Sequence, residues 1–398
     1  MGPFEIASLV LAAALGGLLW RDHRSLARAM KPPAPPPRLA RYPSVSVIRP
    51  IKGLDPELEG NLHAALDHGY PGRVETLFVF DDEREPGVSA VEKAIALHRE
   101  SGRPGTAEIL FCGPPPPGRT GKLNAMLAGL RRAGGELIAF ADSDVRSDGA
   151  ALRILVETLL GSPGAGSAFA PVVASEPAHS LGDAACAMLL NGLYTPAAAR
   201  ALRRGHGELP FILGQLMVFT REALRRIGGL ERAGGQLVDD LYIGALVARA
   251  GLRNVASCHP IRIIQYGLSQ AQALAHYSRW MTFSRTGIPQ WSFKLPIALR
   301  ATLFWLGLLA AVAAAASGGA LLAAAWAALA AGVVASVDAL HQRTGCAPLR
   351  PRHWLAPAVL FLLAPPVFAR ILLVQRRVDW RGRSYELDPR SRLAAPRR

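Results

Sequence analysis

The chain has 398 residues, half of them hydrophobic, and carries a formal net charge of +15. Thirteen of those charges lie in three short stretches, 21–41, 338–352 and 370–398, each bordering a long apolar segment. That placement suits the positive-inside pattern and anionic lipid headgroups, and it speaks against nucleic acid as a partner.

Residues 4–20 form an apolar run at the short end for a membrane span. The positive charges Arg21, Arg24, Arg28 and Lys31 follow it rather than precede it, which predicts an uncleaved anchor with its N-terminus outside. The tract KPPAPPPR at 31–38 reads as a stiff polyproline spacer holding the next domain off the bilayer. From Tyr42 onward, apolar strand patterns alternate with helical ones. Strands are expected at 45–48, 74–80 and 107–111, and helices at 56–68 and 88–100. The second strand ends at Asp81-Asp82. Gly121-Lys122 opens a further helix, and a strand at 137–141 delivers Asp142 and Asp144. This alternation predicts an α/β domain built on a mostly parallel, doubly wound sheet.

Residues 180–204 are amphipathic and suit either the membrane interface or packing on the sheet. A strand at 211–220, containing Gly214, and a short helix at 221–229 follow. Val238-Asp239-Asp240 opens a helix running to about Ala250, and another helix is expected over 269–285. Residues 301–337 are almost continuously apolar and break at Ser317-Gly318-Gly319, which predicts a hairpin of two short spans. A third apolar stretch, 355–374, is interrupted by Pro365-Pro366. The four cysteines, Cys112, Cys186, Cys258 and Cys346, are widely spaced. They give neither a zinc spacing nor a disulfide framework, as expected in a reducing compartment.

The polar residues at strand ends carry the chemistry. Ligands of open α/β sheets gather at the carboxyl ends of strands, where Asp142 and Asp144 stand. Two carboxylates that close repel each other unless a cation intervenes, and oxygen-only ligands favour Mg²⁺ or Mn²⁺ shared with a diphosphate. An Asp-x-Asp after a strand also serves as a plain turn or cap, so the pair does not decide alone. His276, Arg279 and Trp280 are spaced i, i+3, i+4 and share one helix face. Arginine offers phosphate a planar fork. Read singly, Trp280 also suits a membrane interface, Asp82 a turn and Lys122 a solvated surface.

In chain order, Asp82, Asp142/Asp144, Asp239/Asp240 and Arg279/Trp280 resemble the membrane-bound, family 2-like inverting glycosyltransferases of the GT-A fold. YPSVSVIRPIKG at 42–53 and WRGRSY at 380–385 fit the same family. Ceramide glucosyltransferases and the glycosyltransferases of hopanoid biosynthesis are the closest look-alikes. The resemblance implies that Asp82 contacts the uridine, that Lys122 lies near the diphosphate, and that Asp142 and Asp144 hold donor and metal. It further implies that Asp240 is the base, that Asp239 replaces the usual Glu, and that Arg279 meets the pyrophosphate with Trp280 against a sugar or the acceptor. His276 departs from the family, which more often has Gln or Arg there.

The expected function is transfer of one sugar from a UDP-sugar to the hydroxyl of a membrane lipid, ceramide or hopanoid, with Mg²⁺ or Mn²⁺. The rivals are a processive polysaccharide synthase and a catalytically silent nucleotide- or lipid-binding membrane protein. The expected organisation is an anchor at 1–21, a basic Pro-rich linker at 22–41 and a GT-A domain at 42–296, with 180–204 as a candidate interfacial helix. Membrane or re-entrant segments at 297–375 and a basic cytosolic tail at 376–398 complete it. The catalytic domain and tail should face the cytosol from the cell membrane. That requires 355–374 to be re-entrant or interfacial, bent at Pro365-Pro366.

Overall fold

The computed structural model describes residues 2–174, 177–264, 267–282, 291–346 and 348–394. Helix α1 (Pro3–Ala29) precedes the α/β domain. Strands β1 (Val45–Pro50), β2 (Val74–Phe80), β3 (Thr106–Phe111) and β4 (Leu137–Ala141) alternate with α2 (Leu58–Leu66), α3 (Val88–Glu100) and α4 (Gly121–Arg132). After β4 come β5 (Val145–Arg146), α5 (Ala151–Leu160), β6 (Ala165–Phe169) and β7 (Val172–Ala174). The second half of the domain holds α6 (Leu181–Ala187), α7 (Thr195–Arg204), β8 (Leu216–Thr220), α8 (Arg221–Arg226), α9 (Asp239–Arg249), β9 (Arg253–Ala256), β10 (Ile261–Ile263) and α10 (Gln270–Met281).

The main sheet has the order β3-β2-β1-β4-β8-β6-β9. All its pairs are parallel except the two that β8 makes with β4 and β6. Strand alternation divides β4 between two cores. Ile138 and Phe140 pack with Leu123 and Met126 of α4, while Leu137 and Ala139 pack with Leu152 and Leu155 of α5. Burial on both faces is what a helix-covered parallel sheet demands, and it explains why the strand reads as an unbroken apolar run. The expected mostly parallel α/β sheet is therefore observed. The strand expected at 211–220 begins only at Leu216. The preceding backbone instead packs on α9, where a side chain at Gly244 would come within 2.5 Å of the Ile212 amide.

Among the described residues, four helices are long and apolar enough to cross a membrane: Pro3–Ala29, Trp291–Ala316, Ala320–Gln342 and Pro351–Leu373. The second and third, α11 (Trp291–Ala316) and α12 (Ala320–Gln342), form the expected hairpin. Helix α11 starts before the anticipated boundary at 296 and carries Pro296 inside it. Helices α1 and α12 run parallel: Trp326 Nε1 donates to Ser8 Oγ (3.0 Å), His23 Nδ1 meets Ser336 Oγ (3.0 Å), and Leu26 packs on Leu340.

The α/β domain is not held off these helices. Residues 181–204, with a π-helical middle at Met188–Tyr194, are sandwiched between the sheet core and the long helices. The Pro-rich tract lies along the domain, with Arg203 Nη2 donating to the Lys31 carbonyl at 3.0 Å. The reason is packing: the amphipathic segment buries its apolar face on α1 and α12, leaving no gap for a spacer to bridge.

Helix α13 (Ala356–Leu373) corrects another expectation, because it continues through Pro365 and Pro366. Pro365 has no amide hydrogen to give Phe361, and the carbonyl it frees accepts instead from Trp305 Nε1 of α11 at 2.9 Å. After α13 comes a hairpin of β11 (Arg377–Trp380) and β12 (Arg383–Glu386), so this part of the expected tail is folded onto the α/β domain. Both ends of α13 thereby meet that domain: just before it Arg352 Nη2 donates to the His179 carbonyl (3.1 Å), and just after it the hairpin reaches Asp81.

Candidate active site

Two chambers meet at the carboxyl edge of the sheet. The polar one, of about 380 Å³, is walled by the ends of β1, β2 and β4, the start of α4, helix α10 and the C-terminal hairpin. The apolar one, of about 490 Å³, runs from Asp239 and Asp240 past Tyr194, Phe211 and Phe293 to the far ends of α1 and α12 at Pro33 and Arg343. Lys122, Asp142, Arg279 and Trp380 line both.

Asp142 and Asp144 leave β4 where the ladder stops. The Asp142 amide donates to Gln215 O (2.9 Å) and the Ile264 amide to Asp144 O (3.0 Å), which fixes both backbones. Lys122 is placed by α4, whose first turn is capped by Thr120 Oγ1 accepting from the Leu123 amide at 3.1 Å. Its Nζ sits 2.5 Å from Asp142 Oδ1 and donates to Gly214 O at 3.3 Å. Burial alone would lower the Lys122 ammonium, but Asp142, Asp239 and Asp240 outweigh it and hold its pKa above the ordinary value. Lys122 therefore stays cationic. The positive end of α4 points the same way, so this corner favours an anion.

Asp239 and Asp240 open α9. Asp240 is the more accessible of the two, and its carboxylate accepts from the Gly214 amide (2.9 Å) and the Leu241 amide (2.8 Å). Gly214 is required for that approach, since a Cβ there would lie 2.6 Å from Asp240 Oδ2. Asp239 is 4% exposed; its Oδ1 accepts from the Asp240 amide, and its buried Oδ2 has no hydrogen-bond partner among the described residues. Burial raises both carboxyls above the ordinary aspartate range, with Lys122 opposing it.

On α10, His276, Arg279 and Trp280 do share a face. The last expected residues of this helix, 283–285, lie outside the described residues. Arg279 lies over the Trp380 ring (5.1 Å), and Trp280 stacks on Tyr194 (5.9 Å) and touches His276 (5.8 Å). Burial, with Arg279 and Arg381 nearby, lowers His276 to about 3, so it is a neutral group and brings no charge to a phosphate. Burial also lowers Arg279, to about 10, which leaves it cationic near neutral pH.

Asp82 is the one expected donor residue that lies outside both chambers. It is exposed in a turn, where its Oδ1 accepts from the Arg84 amide at 2.8 Å. Asp81 takes the inward position, pairing with Lys52 (2.7 Å) and Arg383 (2.6 Å). The cause is register. The Gly113 amide still bonds to Asp81 O at 2.9 Å, which extends the ladder by one residue, and only at Asp82 does the chain turn away.

Sequence reading also missed Arg49, Lys52, Asp55, Gly214, Arg381 and Arg383. The RPIKG tract and WRGRSY held the signal for all but Asp55 and Gly214. Arg49 is 2% exposed beneath Asp142 and Asp144, its Nη1 donating to Val145 O at 3.1 Å.

Among the described residues no three His, Cys, Asp or Glu side chains converge as a complete metal site. Asp142 and Asp144 nevertheless fit a hard divalent cation. Such ions are commonly bound by one or two carboxylates and completed by substrate phosphates and water, and both side chains line the polar chamber.

The chain is similar to several known proteins. Residues 7–393 match the family model described as Glycosyl transferase family 21. Ceramide glucosyltransferase 3 of Caenorhabditis elegans is 26% identical over 259 residues, covering 62% of this chain and 52% of that protein. Ceramide glucosyltransferase 1 of the same organism is 26% identical over 230 residues, covering 55% of this chain and 45% of that protein. The chain thus spans about half the length of the curated relatives it matches. Among solved structures, the mannosyltransferase PcManGT from Pyrobaculum calidifontis, in complex with GDP-Man and Mn²⁺, aligns at 20% identity with a TM-score of 0.47. That alignment covers 91% of this chain and 99% of that one.

Proposed function

Because the chain belongs to glycosyl transferase family 21, we propose that it moves a single sugar, with inversion, from a UDP-sugar to the hydroxyl of a membrane lipid. Ceramide, or another sphingoid lipid, and a hopanoid are the two acceptors of choice. The observation that carries this reading is the shared wall of the two chambers. A pocket bearing both cations and carboxylates, suited to a nucleoside diphosphate with its metal, opens through Lys122, Asp142, Arg279 and Trp380 into an apolar one suited to a lipid.

In this reading Asp240 takes the proton of the acceptor hydroxyl as its oxygen bonds to the sugar's anomeric carbon. The bond to the diphosphate breaks on the opposite face. Lys122, Arg279 and the first turn of α4 meet the leaving charge. Asp142 and Asp144 would hold Mg²⁺ or Mn²⁺, which supplies further positive charge to the diphosphate. His276 is a neutral packing partner for Trp280, which orders the wall between the chambers.

The test is transfer by the full chain in lipid nanodiscs, with a panel of UDP-sugars and with ceramide or a hopanoid as acceptor. Product is expected from at least one pair. Chelation should abolish it until Mg²⁺ or Mn²⁺ is restored, and Asp144→Asn should lose nearly all activity. Full activity in excess chelator would remove the metal from this account, and a silent panel would remove the donor.

The helix arrangement supports a membrane topology. We read α1, α11 and α12 as crossing, with α13 lying along the membrane face of the α/β domain because both its ends return to that domain. Nucleotide sugars are cytosolic, so the domain and hairpin belong on that side. Arg21, Arg24 and Arg28 would then meet anionic headgroups. A cysteine placed at Arg390 should resist an impermeant thiol reagent in intact cells and react after permeabilisation. Labelling of intact cells would make α13 a fourth crossing.

A further inference from the structure

We propose that the C-terminal hairpin is a latch on the donor chamber, and that Arg381 at its tip exchanges Asp55 for the donor's diphosphate. The proposal rests on the nucleotide-sugar reading of the site. Three independent observations carry it.

The first is backbone geometry. Arg381-Gly382 is a two-residue hairpin turn with φ of +53° and +72°. Such turns select Asn-Gly, because left-handed backbone disfavours an ordinary L side chain. An arginine at that position works against the turn, so something other than the turn accounts for its presence there.

The second is where the arginine goes. It crosses the chamber mouth to the Asp55 carboxylate, and its Nη1 also donates to Lys52 O at 3.2 Å. Asp55 in turn accepts from Ser143 Oγ, between the two carboxylates expected to face the donor. About a third of the Arg381 side chain remains exposed, so it is close to the diphosphate position yet free to swing. Arg383 makes the neighbouring contact to Asp81 at 2.6 Å, and Tyr385 Oη accepts from the Gly121 amide at the start of α4 at 3.1 Å.

The third is charge. Among the described residues the chamber is lined by five cations, Lys52, Lys122, Arg279, Arg381 and Arg383, and five carboxylates, Asp55, Asp81, Asp142, Asp144 and Asp379. This wall is electrically balanced before any donor arrives. A diphosphate must then bring a cation with it or release a cation already engaged. Arg381 is the cation best placed for release: its partner Asp55 lies outside the Asp142/Asp144 pair, and its planar fork suits two phosphate oxygens. Arg279, held against the Trp380 ring of the same hairpin, lines the same chamber.

The test uses the full chain in nanodiscs with Mg²⁺, titrated calorimetrically with UDP and with uridine. Arg381→Asn suits the turn and should preserve the hairpin, which an unchanged far-ultraviolet circular dichroism spectrum checks. It should nevertheless weaken UDP by about tenfold or more and leave uridine unchanged. Asp55→Asn removes the competing carboxylate and should tighten UDP severalfold, again without effect on uridine. If the Arg381–Asp55 pair were only a clasp, both variants would weaken UDP in parallel, and that result overturns the latch. So does an Arg381→Asn protein with parental UDP affinity. A parental protein that binds neither UDP nor uridine overturns the nucleotide reading itself, and the latch with it.

Discussion

Asp240→Asn is expected to lose about 10² to 10⁴ in turnover, the usual range for removing a general base, while retaining donor binding. The carboxylate is oriented by two backbone amides rather than by the donor, so the substitution leaves the polar chamber intact. Asp239→Asn should be milder, because Asp239 acts through the Asp240 amide. Burial raises the Asp240 carboxyl, and the base must be deprotonated to act. Turnover should therefore fall as pH drops, beginning above the ordinary aspartate range, and Asp240→Asn should lack that limb. Rate measurements on both variants across pH, with UDP affinity measured separately, check this. If Asp239→Asn is the dead protein, the base is Asp239, which lines the same chamber.

Asp22→Asn is expected to be the most damaging substitution outside the active site. Asp22 of α1 accepts from Arg200 of α7 through Oδ1 and from Arg300 of α11 through Oδ2 (2.5 Å). Arg300 also donates to Ser336 of α12 at 3.2 Å. One carboxylate thus ties α1, the α11–α12 hairpin and the α/β domain together. Arg300 is 1% exposed and Arg200 is buried, so neutralising Asp22 leaves two guanidinium groups without their counter-charge. Breaking a buried pair from one side costs about 3–5 kcal/mol, a large share of the 5–15 kcal/mol typical of a whole protein. Thermal unfolding in detergent should show a pronounced drop. Replacing all three residues with apolar side chains of similar volume should recover much of it. A single substitution that melts like the parent would mean the cluster is solvated.

How far the sequence revealed this molecule depended on the range of the interaction. The strand at 137–141 and helices α3, α4 and α9 were legible because apolar periodicity acts over a few residues. Asp82 was expected in the crevice and Asp81 lines it instead, because no local signal says whether a ladder stops at residue 80 or 81. Gly214 was visible only as a glycine in an apolar run, since its purpose depends on Asp240 in a later helix. The bend expected at Pro365-Pro366 followed from a missing amide, but the indole that answers the freed carbonyl belongs to another helix. The spacer failed for the same reason: its length was plain, but the face that closes the gap lies about 150 residues further on.

The hairpin also bears on how the protein is made. Its ion pairs to Asp55 and Asp81 join residues 326 and 302 positions apart, among the most distant partners in the chain. Loop-closure entropy opposes such contacts until the intervening elements have folded. Residues 377–386 also follow all three long apolar helices of the C-terminal half in the order of synthesis. The sheet and its carboxylates can form early on the nascent chain, whereas the polar chamber gains its last wall only once α11, α12 and α13 have been made. Closure of the chamber is in this way left to the last residues synthesised of those that wall it.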